Sequence, residues 1–198
     1  MGLILQTATN FSKLFDIQYD FVLGKNNKLR NISVVFEPED FHHLAGLQYI
    51  KDVPNLTKSR TQVFYNICND TALRNKIYNS KFYTQITNRL LALNQLEYLF
   101  DNNHIVFQYD YKQNKQSSIR AKFLIESYDS NNAIVYVFGD YKIPHNYTAY
   151  CKSIFPKDKY DYTQHQGKYA ILQKTKKQKS TGIVLSTYTS PKYNSNIR

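Results

Sequence analysis

The sequence predicts an α+β domain, with an N-terminal helix and β-hairpin, central helices, then a C-terminal antiparallel sheet. Three observations carry that expectation. Apolar residues recur every three to five positions up to Phe100, and from His104 onward β-formers alternate or cluster instead. Helices and strands do not alternate as βαβ units, which argues against a doubly wound sheet. At 198 residues, 42% hydrophobic and 15% aromatic, the chain is sized for one domain with a proper core.

The elements follow in order. Leu3, Leu5, Phe11, Leu14 and Phe15 give residues 3–15 a helical spacing. Two β-rich runs, Tyr19–Leu23 and Ile32–Phe36, flank Gly24-Lys-Asn-Asn-Lys and form a hairpin. Glu37-Pro38 ends it, because proline cannot donate to a ladder. Asp40 is placed to cap a helix over 41–50, with Phe41, Leu44 and Leu47 as its apolar stripe and His43 and Gly46 on a neighbouring face. Asp52–Asn55 breaks that helix. Residues 60–68 read as helix, and Asn69 or Asp70 starts another. The stretch 71–100 is the longest helical region, with a division near Asn79-Ser80.

Strands are expected at 104–111, 119–128 and 133–138, joined by turn-rich segments at 114–118 and 129–132, with further strands near 147–155 and 168–175. Residues 1–175 then make one domain and 176–198 a basic, mobile tail, in which Ile183-Val-Leu is a candidate edge strand.

Charge narrows the partners. Lys and Arg number 26 against 15 Asp and Glu, a net charge of +11 that favours encounter with polyanions. After Asp161 there is no acidic residue, while Lys168, Lys174, Lys176, Lys177, Lys179, Lys192 and Arg198 follow. The 18 tyrosines and 12 phenylalanines are strand formers and, where exposed beside cations, stacking planes for unpaired bases. No apolar run is long enough to span a membrane, and Met1–Ala8 lacks the basic leader of a secretory signal. Cys68 and Cys151 make no CxxC pair and read as reduced thiols. A cytoplasmic protein of a bacterial host cell is the expectation, with no membrane partner.

Motifs exclude more than they include. None of His42, His43, His104, His145 and His165 stands in a zinc spacing, so no metal or other cofactor is expected. GxSxG, GxxxxGK[ST] and GxGxxG are all missing, which removes the commonest hydrolase, NTPase and dinucleotide readings. Acid–base chemistry without a metal remains. Histidine suits proton transfer near neutral pH, and Lys and Arg suit charge growing on a phosphoryl group. The candidates are His43, with Arg120 and Lys122 spaced to share one face of a strand. Each has a bland alternative: a solvated sheet face for the cations, and for His43 a hydrogen bond that merely fixes its helix.

Phe41-His-His-Leu-Ala-Gly-Leu follows a hairpin whose second strand ends in an acidic, Pro-containing turn. Later come Cys151-Lys-Ser-Ile-Phe-Pro, a Tyr/Lys-rich turn and a final strand at Tyr169–Lys174. In this order the motifs resemble the PBECR group, fourth subgroup: phage-borne relatives of barnase, EndoU, colicin and RelE nucleases. The resemblance spans residues 3–175. It implies a barnase/RelE-like layout of a sheet with helices packed on it, and a metal-independent RNase-like site on that sheet. His43, not His42, matches the histidine of the motif. Lys152 and Ser153 fall in the second motif, where Ser153 would hydrogen-bond phosphate and Lys152 supply charge. Gln164, Gln166 and Lys168, in the turn before the last strand, and Lys174 within it, are the expected nucleic-acid contacts.

The resulting expectation is a metal-independent endoribonuclease of a phage or mobile element, of toxin type, cleaving RNA by 2′-hydroxyl attack. tRNA or another structured RNA is the expected substrate class, and an acidic inhibitor or antitoxin protein the expected protein partner. The alternatives are a non-catalytic nucleic-acid-binding module and a partner-binding structural protein of a mobile element.

Overall fold

The computed structural model describes residues 1–56, 59–102, 105–114, 117–143, 147–191 and 193. His104, His145, Lys192 and Arg198, singled out above, lie outside the described residues.

Helix α1 (Leu3–Ser12) leads into strands β1 (Ile17–Lys25) and β2 (Lys28–Val35). Their turn is Asn26-Asn27, both at positive φ (51° and 58°), the backbone of a tight primed turn that asparagine tolerates. Helix α2 is short, Asp40–Leu44, and a 3-10 turn follows at Leu47–Tyr49. Next come α3 (Arg60–Asn69), α4 (Thr71–Tyr78), α5 (Tyr83–Leu93) and α6 (Leu96–Asn102). Asp70 starts α4 as its sequence suggests, accepting from the backbone N–H groups of Ala72 and Leu73 at 2.8 and 3.1 Å. Strands β3 (Ile105–Gln108), β4 (Phe123–Tyr128), β5 (Ile134–Tyr141), β6 (Thr148–Pro156), β7 (Gly167–Gln178) and β8 (Val184–Thr189) complete the order.

The helix expected over 41–50 breaks at Gly46, whose φ of +76° no continuing helix can hold. The long helical region divides not only near Ser80 but again at Asn94-Gln95, between α5 and α6. The strand expected from Ile119 begins at Phe123, so Arg120 and Lys122 precede it.

The larger correction concerns architecture. The hairpin does not stand apart from a C-terminal sheet: β1 pairs antiparallel with β7, Ile17 facing Gln178, and β2 pairs parallel with β6 at Ser33 and Val34. The strand order β1-β2-β6-β5-β4-β3-β7 therefore closes on itself as a seven-stranded barrel. This is not the helix-plus-C-terminal-sheet, barnase-like layout expected from the sequence. Pairing between the two ends of a chain leaves no trace in local periodicity, which reports only whether a segment is a strand and which face it buries. β7 is long enough to carry β3 on Gly167–Tyr169 and β8 on Gln173–Lys177, while β1 holds its other edge. Within 176–198, then, lie the end of β7 and the added strand β8, whose residues are all exposed.

Closure creates the core. Residues from all seven barrel strands, including Phe21, Val34, Val106, Phe123, Val137, Cys151 and Ile171, join one cluster that extends through Phe36 and Phe100 to the helices. Phe11, Phe41 and Phe64, from α1, α2 and α3, meet there with ring centroids 5.2–6.3 Å apart. On the opposite face of β3–β5 a smaller cluster forms from Phe107, Leu124, Tyr136 and Phe138, covered by Tyr111, Phe155 and Tyr162. Both faces of this part of the wall are thus packed, and the cleft described next lies between it and the helices.

Candidate nucleic-acid interface

The cleft begins with two adjacent histidines that do different things. His42 is buried, and its Nε2 lies 2.7 Å from the Leu56 carbonyl oxygen, tying α2 to the loop before α3. A helix-fixing contact of the kind considered for His43 is thus made by its neighbour. His43 is only half-buried and lines an open cavity of about 580 Å³.

Four sequence-distant segments wall this cavity. α2 contributes Asp40 and His43, the residue before it Glu39, and the turn after it Gln48. α3 contributes its first residue, Arg60, held where the chain enters the helix by Ser59, whose Oγ accepts from the Gln62 N–H at 3.3 Å. The segment before β4 contributes Ser118, Ile119 and Arg120, and β6 contributes Tyr150, Cys151, Lys152 and Ser153.

The β6 side chains owe their aim to a bulge. Phe138 of β5 pairs with Ser153 and Gly139 with Cys151, so Lys152 has no opposite number and the alternation of faces slips by one. Cys151 turns into the core at 1% exposure, while Lys152 and Ser153 both reach the cleft. Gly139 is required opposite the bulge, since a Cβ there would lie 2.0 Å from the Phe123 ring.

Three cations in or beside the cleft have partners of their own. Lys152 pairs with Asp140 at 3.1 Å. Arg120 lies over the Tyr111 ring, 5.3 Å from its centroid. Arg89, from α5, stands just behind: its guanidinium is 5.4 and 5.1 Å from the Tyr49 and Phe155 centroids and donates to Ser153 Oγ and the Ile154 carbonyl oxygen. No carboxylate among the described residues pairs with it.

Burial, then the charges of Arg60 and neighbouring His42, push the His43 imidazole below its usual pKa, while the Gln48 amide acts in the opposite direction. Its neutral form is therefore favoured at neutral pH, as a proton acceptor requires. Asp40 moves the other way. Burial raises its carboxyl to about 6, although it accepts the Glu37 N–H at 3.0 Å and feels Lys142. Two titratable groups shifted in opposite directions thus share one wall.

Of the residues expected from sequence, the cleft brings together His43, Arg120, Lys152 and Ser153. Lys122, Gln164, Gln166, Lys168 and Lys174 do not line it. Gln166 brackets the Asp110 backbone, accepting its N–H and donating to its carbonyl oxygen, and so steadies the segment carrying Tyr111 beneath Arg120. Lys174 donates to the Phe100 and Asp101 carbonyl oxygens at the end of α6. Lys168 sits 5.7 Å from the Phe107 ring centroid, and Gln164 and Lys122 are exposed. Much of the C-terminal lysine block is likewise engaged: Lys176 with Glu97 and Asp101, Lys177 with Asp20, Lys179 with Glu37.

Arg60, Arg89 and Asp40 were missed as site residues. For Arg89 a signal existed, because it falls three residues after Ile86 and four before Leu93, on the buried stripe of α5. An arginine there demands a partner other than water. Arg60 carried no such mark.

Among the described residues no group of three or more His, Cys, Asp or Glu side chains could hold a metal ion, and no helix is long and apolar enough to cross a membrane.

A half-buried imidazole among pre-positioned cations, on the wall of a small barrel, suits an anionic ligand. The family comparison gives that class a name: the model described as phage-Barnase-EndoU-ColicinE5/D-RelE like nuclease4 matches residues 3–190. The chain belongs to this nuclease-like, phage-related family. No curated protein and no solved structure matches it.

Proposed function

We propose that this protein is an endoribonuclease that cleaves RNA by attack of the ribose 2′-hydroxyl, without a metal ion, in the cleft around His43. One observation carries the reading: His43, Arg60, Arg120, Lys152 and Ser153, from segments far apart in sequence, line a single cavity. Neutral His43 takes the proton from the 2′-hydroxyl, and the freed oxygen attacks phosphorus. Arg60, Arg120 and Lys152 hold the non-bridging oxygens as charge grows on them, and Ser153 donates a hydrogen bond. The P–O5′ bond breaks, the 5′-oxygen leaves with a proton from the Asp40 carboxyl, and a 2′,3′-cyclic phosphate remains. An acidic inhibitor or antitoxin protein would cover the same cations, which fits a toxin of a phage or mobile element.

The test is incubation of the purified protein with end-labelled total RNA and tRNA in EDTA, beside His43→Ala and Arg120→Ala proteins. Discrete fragments ending in a cyclic phosphate, lost in both variants, are expected. Intact RNA with shifted mobility would replace catalysis by binding alone, and unchanged cleavage by the His43→Ala protein would remove His43 from the chemistry.

A further inference from the structure

A second cavity, of about 400 Å³, adjoins the cleft and shares its Ser118 and Ile119 wall. Its chemistry differs. The cleft sets Arg60, Arg120 and Lys152 against Glu39 and Asp40 and carries a single side-chain amide, Gln48, whereas here Lys157 pairs with Asp161 at 3.2 Å and two amides, Gln85 and Asn88, line the wall. Arg89, the lining cation without a carboxylate partner among the described residues, is already taken up by the Tyr49 and Phe155 rings and by the Ser153 and Ile154 oxygens. What the cavity offers is flat and amide-lined. Gln85, Asn88 and Arg89 follow one another at helical spacing on one face of α5, with Tyr49 and Phe155 beside them. No hydrogen bond among the described residues uses the Gln85 or Asn88 amide, and both residues are exposed.

We propose that this cavity is a nucleobase subsite, taking the base of a nucleotide that adjoins the phosphate held in the cleft; the proposal rests on the ribonuclease reading and deepens it. A base edge presents donors and acceptors side by side, and a side-chain amide matches both. A base face needs a plane, which the Tyr49 ring, 40% exposed, and the Arg89 guanidinium supply. Arg89 also joins the two cavities, because the Ser153 hydroxyl it donates to lines the cleft. The hydrogen bond fixes the spacing between base and phosphate.

The experiment is calorimetric titration of the full chain with adenosine, cytidine, guanosine and uridine 3′-monophosphates. It is run on the unchanged protein, a Gln85→Ala/Asn88→Ala double variant and the His43→Ala variant. One nucleotide is expected to bind at least about tenfold tighter than the others, as hydrogen-bonded discrimination allows. The double variant is expected to bind all four alike, and His43→Ala to keep the preference. Equal affinities in the unchanged protein, no binding, or a preference that survives the double substitution would each overturn the subsite. The two readings separate cleanly. A base preference without RNA cleavage leaves the subsite and removes catalysis, while cleavage without base preference does the reverse.

Discussion

Arg89 donates to the Ser153 hydroxyl at 3.0 Å across the junction of α5 and β6, from between two aromatic rings and without a carboxylate partner. Holding a charge there costs solvation that only the rings, Ser153 and the Ile154 carbonyl offset. Arg89→Ala is expected to lower stability by about 1–3 kcal/mol in denaturant titrations, since it strips partners from a buried carbonyl and hydroxyl. Arg89→Met, which keeps the stem but not the donors, should recover only part of that loss.

The two histidines should separate by readout. His42→Ala loses the buried contact with the Leu56 carbonyl and is expected to cost about 1–3 kcal/mol of stability. His43→Ala is expected to leave the melting curve nearly unchanged while lowering cleavage by roughly 10²-fold or more. A large stability loss at His43 would return it to a structural role.

Lys152 gives a cleaner test of charge. Its pair with Asp140 is partly exposed, so Lys152→Ala should cost less than about 1 kcal/mol of stability. RNA affinity should nonetheless fall, and its dependence on salt should become shallower by about one counterion.

Asp40 predicts a pH dependence of definite sign. Its carboxyl is raised from 3.8 to about 6 in the folded protein, so folding favours the protonated form. The stability it contributes is complete below pH 3.8 and is lost as pH rises through about 6. Asp40→Asn should therefore match the unchanged protein at low pH and become the more stable of the two by roughly 2–3 kcal/mol above pH 6–7. Denaturant midpoints between pH 4 and 7 decide this, and a constant difference would dispose of the buried-carboxyl argument.

Gly46 lies at φ +76°, and a Cβ there would sit 2.9 Å from Arg89 Cδ and 3.1 Å from Ile86 Cγ2. Gly46→Ala should destabilise by about 1 kcal/mol or more through the backbone alone. It should also disturb Arg89, visible as a weakened contribution of Arg89→Ala in a double-mutant cycle.

What could be read from the sequence was local or carried by a motif. Asn26-Asn27 announced the hairpin, Asp70 the start of α4, and Phe41–Leu47 the segment bearing His43. Lys152 and Ser153 came with the second motif, although the bulge that aims them could not be foreseen, because it exists only relative to β5. Lys174 and Gln166 looked like free polar side chains, yet they bond main-chain groups in other elements. The barrel escaped for the same reason. Which edge a strand finds depends on the whole chain, and the pairing of Ile17 with Gln178 is the extreme case.

That pairing also sets an order of events during synthesis. Until the segment ending at Gln178 has left the ribosome, β1 has only one neighbour and the wall stays open. Contacts between distant parts of a chain form slowly, so closure is a late step of folding. Arg60 and His43 emerge early, but Lys152 and Ser153 cannot join them until β6 has docked beside β2 and β5. The nascent chain therefore carries the parts of the cleft without the cleft until β6 is in place.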